Sequence, residues 1–338
     1  MASRAPWRLA TEQDRQPSAT AALGLIWGFD LDPGRVAAIE RCDDDRGGFR
    51  WLHLSLAHQG TASWIEALDV LTEDVQEMML SPESHQRAMV DGGVVACVLH
   101  DFERDFEQTD EPQIGVLRFA LTPTMMITAR LHPIRSADRV RHKLLRSGGM
   151  EDRAEALDLL IGTITDGIAA VVREQSLAVQ NAEDRFLDGR DPPTPRRMIE
   201  IRRRHARVHR MLDGLRAVFR RLEGDEDMPE SMVATVEKLS QRVQALGADS
   251  LGVQRQILQL REEVDIQNDQ RTNQNLYVLS IMTALMLPAT FITGLFGMNT
   301  GGFPWAHSPH GTLWASMLAF GTAGATYIVL RRMGFMRR

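Results

Sequence analysis

The chain has only two cysteines, Cys42 and Cys97, and they form no C-x-x-C pair. This excludes a disulfide framework and a thiolate metal knuckle. The stretch 1–16 lacks the apolar core of a secretory signal, so membrane targeting is expected to come from elsewhere in the chain. No G-x-S-x-G, phosphate-binding P-loop or H-E-x-x-H occurs, so no enzyme is expected. The net charge of −6 gives no electrostatic footprint for nucleic acid. Charge is missing altogether from two stretches. Positions 276–296 hold no charged side chain, and neither does the Gly- and Pro-rich segment 297–311 that follows.

That uncharged stretch organises the rest. About 20 apolar residues cross a bilayer core of ~30 Å as a helix. Positions 276–296 meet that length, and a second apolar stretch runs over 313–330. The pattern predicts two spans joined by a tight hairpin. The tail 331–338 carries Arg331, Arg332, Arg337 and Arg338, whereas the hairpin loop has no Lys or Arg. The positive-inside rule then places both termini in the cytoplasm and the loop outside.

Before the spans the pattern changes twice. Strands are expected at 24–30, 35–39, 49–54, 94–102, 114–120 and 124–130, with turns at Asp32-Pro33-Gly34 and Gly92-Gly93. Helices are expected at 62–71 and 73–80. His53, His58, His85 and His100 have no partner at ligand-like spacing and read as structural. Helices follow at 151–187 and 196–222. The second is rich in arginine (Arg202, Arg203, Arg204, Arg207, Arg210, Arg216, Arg220, Arg221), which reads as a solvated face pairing with acids of its partner helix. A long helix is expected from 229 to 295, ~100 Å at 1.5 Å per residue. Met232, Val236, Leu239, Val243, Leu246, Val253, Ile257, Leu260 and Val264 recur at steps of three and four, with Ser250 in one slot. This seam is expected to set the order of an oligomer.

The expected organisation is therefore a loose arm (1–22), an α/β domain (23–135), a helical hairpin (136–228), a stalk (229–275) and a first span (276–296). An external loop (297–312), a second span (313–330) and a basic tail (331–338) complete it. Two helices cannot enclose a water path, but a symmetric oligomer can. Leu276, Ser280, Thr283, Leu287, Thr290, Gly294 and Gly297 share one face of the first span, with Leu279 and Met282 beside it. The hydroxyls could bind waters of a hydrated cation, and the leucines could gate by dewetting. Pro288 frees the carbonyl of Ala284. Glu262, Glu263, Asp265 and Asp269 precede the span and suit a divalent cation. His307 and His310 suit zinc at the outer mouth. No acid lies within either span, so proton coupling has no obvious carrier there.

Gly297-Met298-Asn299, after Leu287-Pro288-Ala289-Thr290-Phe291-Ile292-Thr293-Gly294-Leu295-Phe296, resembles the G-M-N signature of the CorA superfamily of divalent-cation transporters. Gly301-Gly302-Phe303-Pro304 and Trp51-Leu52-His53-Leu54 are similar to its ZntB-like zinc branch. The resemblance implies a funnel-shaped homopentamer in the inner membrane. The first span would line the pore, with Thr290 facing it, and Gly297, Met298 and Asn299 would form the selectivity loop. The cargo would be zinc, with magnesium, cobalt, nickel and cadmium as alternatives and protons as a candidate coupling ion. No prosthetic group is implied. A membrane-anchored coiled-coil scaffold is the competing class; it would not need the uncharged Gly-rich loop.

Overall fold

A computed structural model describes residues 24–40, 48–104, 113–150, 152–189, 193–298 and 310–333. Several expectations lie outside these residues: the arm 1–22, Cys42, Asn299, Gly301-Gly302-Phe303-Pro304, His307 and the tail beyond Met333. The chain divides into two compact units, 1–260 and 261–338.

The first unit is built on a seven-stranded sheet in the order β2-β1-β3-β7-β6-β5-β4. The strands are β1 (Leu25–Asp32), β2 (Arg35–Ala38), β3 (Phe49–Ser55), β4 (Arg87–Asp91), β5 (Val94–Phe102), β6 (Ile114–Leu121) and β7 (Met125–Arg130). Neighbours are antiparallel except β3 and β7, which run parallel with Leu52 opposite Ile127 and His53 opposite Thr128. A parallel pair needs a crossover. Here it contains α1 (Gln59–Glu66), α2 (Glu73–Leu80) and three strands.

The sheet is buried on both faces. Leu52, Leu54, Ala96, Val98, Ala120, Ile127 and Ala129 pack on Ile65 of α1 and on Val75, Met78 and Met79 of α2. The alternate residues Trp51, His53 and Thr128 point the other way, with Leu117. They meet Ala137 and Val140 of α3 (Arg135–Ser147) and Leu160 of α4 (Arg153–Leu187). Double burial explains why β5 reads as an almost continuous apolar run rather than an alternating one. β4 lacked a sequence signal. Its five residues are mostly half-buried at the sheet edge, and only the turn at Gly92-Gly93, where both φ are positive, marks its end.

The helices stop and start on local chemistry. Asp152 accepts from the Glu155 N–H at the head of α4. Thr194 does the same for Arg197 at the head of α5 (Pro195–Glu223), whose first residue is a proline with no N–H to lose. α6 runs unbroken over Glu230–Gly297, 68 residues, and α7 over Gly311–Arg332. The spans by length and apolarity alone fall on α6 and α7.

The seam of α6 has a different partner from the one expected. Met232, Leu239, Val243 and Ser250 are fully buried in the isolated chain, and Val236, Leu246, Val253, Ile257 and Leu260 are buried too. Residues flanking the seam tie α6 to the same chain. Lys238 pairs with Asp158 of α4 at 3.0 Å and Arg242 with Asp166 of α4. The Gln244 carbonyl accepts from Arg216 of α5 at 3.3 Å. The heptad spacing thus marks an intrachain helix layer, because any apolar groove of matching pitch can take the knobs. The arginines of α5 divide their contacts. Arg204 reaches Glu174 of α4 at 3.7 Å, while Arg216 and Arg221 pair with Asp213 and Asp225 beside them in sequence.

Candidate metal path

The path candidate lies in the second unit, on α6 from Leu276 onward. The helix is unbroken here, so Leu276, Ser280, Thr283, Leu287, Thr290, Gly294 and Gly297 fall on one stripe at steps of three and four. The 22 residues 276–297 span ~33 Å, enough for a bilayer core. Leu276, Leu279 and Leu287 are 55%, 60% and 65% exposed, so lipid or further copies must cover them in a membrane.

The hydroxyls have a defined polarity. Thr283 Oγ1 donates to the Leu279 carbonyl at 2.8 Å and Thr290 Oγ1 to the Met286 carbonyl at 2.9 Å. Each proton is therefore spent inside the helix, while the oxygen keeps lone pairs that accept. Waters around a cation turn their hydrogens outward. Such a hydroxyl oxygen suits a hydrated cation and offers nothing to an anion. Pro288 lies inside the helix. It has no N–H, so the Ala284 carbonyl cannot receive its i+4 bond and is a second acceptor on the span.

Gly297 ends α6, Met298 follows it exposed, and His310 directly precedes α7. The His310 carbonyl accepts from Leu313 and Trp314 at 3.1 and 3.2 Å. Glu262, Asp265 and Asp269 share a stripe of α6, and all three are exposed, as is Glu263. Asp265 pairs with Arg261 at 3.6 Å. Among the described residues, no three His, Cys, Asp or Glu side chains of one chain gather closely enough to hold a metal ion.

Several histidines of the first unit have structural partners. His58 Nδ1 caps α1 by accepting from Gly60 N–H at 3.1 Å, and His100 Nε2 donates to the Ser84 carbonyl at 2.7 Å. His53 is the centre of a closed network that sequence reading did not assemble. Arg130 Nε donates to His53 Nε2 at 3.0 Å. The ring proton is then on Nδ1, which donates to Thr128 Oγ1 at 2.9 Å. Thr128 also accepts from Trp51 Nε1 at 3.2 Å and passes its own proton to the Leu52 carbonyl at 3.0 Å. Trp27 stacks on the imidazole at 4.9 Å. A polar residue at an inward position of an alternating strand was the available signal.

Burial, with the Arg130 charge beside it, holds the His53 pKa down to about 3 from 6.5. The folded protein thus refuses a proton that the unfolded chain accepts. The stability this contributes is full above pH 6.5 and is lost as the pH falls from 6.5 towards about 3. The expected slope is about 1.4 kcal/mol per pH unit. Denaturation of detergent-solubilised protein should show a flatter acid limb for His53→Gln. An equally steep limb in that variant would place the proton uptake elsewhere.

The model of the family described as CorA-like Mg2+ transporter protein matches residues 46–332. The divalent cation transporter CmaX of Pseudomonas aeruginosa is 25% identical, over 93% of this chain and 97% of its own. The zinc transport protein ZntB of Pectobacterium carotovorum is 23% identical, over 77% of this chain and 80% of its own. The complete structure of the CorA magnesium transporter from Methanocaldococcus jannaschii superposes with a TM-score of 0.75 at 16% identity, covering 92% of this chain and 98% of that one. The family match, on a chain with a sheet domain and apolar stretches in α6 and α7, makes this a membrane transporter of divalent cations rather than an enzyme. The chain belongs to the CorA family.

Proposed function

We propose that five copies of the chain form a zinc-transporting pore in the inner membrane, lined by the first span. The observation that carries this reading is the exposed stripe of α6, where Thr283 and Thr290 present acceptor oxygens with their protons already spent. Rings of such oxygens hold a hydrated ion loosely enough for it to leave. Glu262, Asp265 and Asp269 from five copies would place an acidic ring on the cytoplasmic side, with both termini on that side. Gly297, Met298 and Asn299 would form the outer selectivity loop.

Zinc is favoured over magnesium by chemistry. The loop 297–311 has no carboxylate and carries His307 and His310. Zinc accepts imidazole, whereas magnesium keeps its waters and prefers oxygen. A relative named for zinc transport fits this reading. A magnesium or cobalt channel of the same architecture is the second reading, and the family description favours it.

Metal-selective flux into proteoliposomes, with and without a pH gradient, separates them. Zinc uptake exceeding magnesium uptake is expected. Magnesium-dominated flux that zinc merely blocks would overturn the zinc assignment. Changing His307 and His310 to Ala should raise the half-saturating zinc concentration. Identical zinc transport by the double variant over the whole zinc titration would remove the collecting role.

A further inference from the structure

The first unit holds a cavity of about 340 Å³ away from the proposed pore stripe, lined by Asp213, Arg216 and Arg220 of α5 and Ser240 and Gln244 of α6. Arg216 is fixed from three directions. Its Nη1 donates to Asp213 Oδ1 and its Nη2 to the Gln244 carbonyl, both at 3.3 Å. Its guanidinium also lies across Gly247, where a Cβ would collide with Nη2 and Cζ. Glycine is a poor helix former, and its place inside α6 is explained by the room this guanidinium occupies.

The charges do not balance within the cavity. The Asp213 carboxylate is shared between Arg216 and His209, whose Nε2 lies at 3.4 Å. Arg220 stands one turn further along α5 and has no ion-pair partner among the described residues. Two cations at this spacing repel one another. Both nonetheless line one cavity, together with the buried Ser240 hydroxyl and the Gln244 amide, which donates to Ser240 Oγ at 3.3 Å. A dianion between the guanidiniums would remove the repulsion, and the Arg fork matches phosphate oxygens in pairs.

We propose that this cavity binds the phosphate monoester of a small soluble metabolite. Its volume is that of a small-molecule pocket and exceeds what a bare phosphate fills. Ser240 and Gln244 would take the hydroxylated body, and the arginines the phosphate. Occupancy would brace α5 against α6.

Free phosphate and a phosphate ester share the recognised chemistry, so both are titrated. Full-length protein in detergent is studied by calorimetry and thermal unfolding with a hexose phosphate, inorganic phosphate, the unphosphorylated hexose and chloride, all at one ionic strength. The hexose phosphate is expected to bind and raise Tm, the free hexose and chloride to do neither. Arg220→Ala should weaken binding about tenfold or more, as loss of a charged hydrogen-bond donor does. Gly247→Ala, which displaces the Arg216 guanidinium while favouring helix, should weaken it too. Equal Tm shifts in wild type and Arg220→Ala, or a hexose phosphate effect no larger than that of chloride, would overturn the site. Inorganic phosphate binding as tightly as the ester would overturn the metabolite assignment.

Discussion

Replacing Asn299 by alanine is expected to abolish selective cation flux while leaving the oligomer assembled. Asn299 follows Gly297 and Met298 in sequence just after the end of α6, and in the proposed pore that is where a hydrated ion would enter. A carboxamide offers an acceptor and two donors to the waters of a hydrated ion. Each such bond is worth about 0.5–1.5 kcal/mol, so a ring of five lost together predicts a fall of roughly a hundredfold or more. Position 299 falls in the range 261–338 rather than in the first unit, so assembly should survive. Flux from size-checked oligomer in proteoliposomes measures both. Wild-type zinc flux with unchanged discrimination against magnesium would take Asn299 out of the filter.

Placing lysine at both Leu239 and Val243 is expected to unfold the first unit. Both positions are fully buried in the single chain, beneath the α4 and α5 helices that pair with Lys238, Arg242 and Gln244 around them. A buried, unpaired ammonium costs several kcal/mol, and two of them approach the ~5–15 kcal/mol that holds a domain together. Leu239→Ala, a milder change, should cost about 2–5 kcal/mol. Circular dichroism melts and limited proteolysis read the outcome. A soluble unit that melts cooperatively at the wild-type temperature, in a protein whose subunit number has changed, would return the seam to a contact between copies.

That pair of positions shows what sequence pattern conveys. The spacing of Met232, Val236, Leu239 and Val243 says that one face of α6 is covered, and the face is covered. Periodicity does not say by what, because the partner helices are distant in sequence and satisfy the same geometry as a neighbouring copy would. Long elements were legible in the same way. α4, α5 and α6 begin and end within a few residues of expectation because caps, Pro195 and the break from Gly224 to Pro229 act locally. α1 was displaced, expected over 62–71 but running Gln59–Glu66. His58 starts it early by capping with a ring nitrogen. Leu68 and Leu71, apolar at helical spacing, instead pack from turns onto the α1–α2 side of the sheet. The pore stripe was legible because it needs only a helix and a count. The His53 network was not, since it depends on β3 and β7 lying side by side across more than seventy residues of sequence.

One helix serves both as the last wall of the soluble core and as the first membrane span, and this sets the timing of biosynthesis. α4 and α5 are synthesised first, but the buried seam of α6 beside them is complete only when Leu260 has arrived. The uncharged stretch from Leu276 follows on the same helix without an intervening loop. At ~5–20 residues per second, the interval between Leu260 and Leu276 takes ~1–3 s. The ribosome therefore delivers the residue that seals the soluble unit and the segment that must leave water within seconds of each other, so the unfinished core and the bare span are exposed to aggregation only briefly.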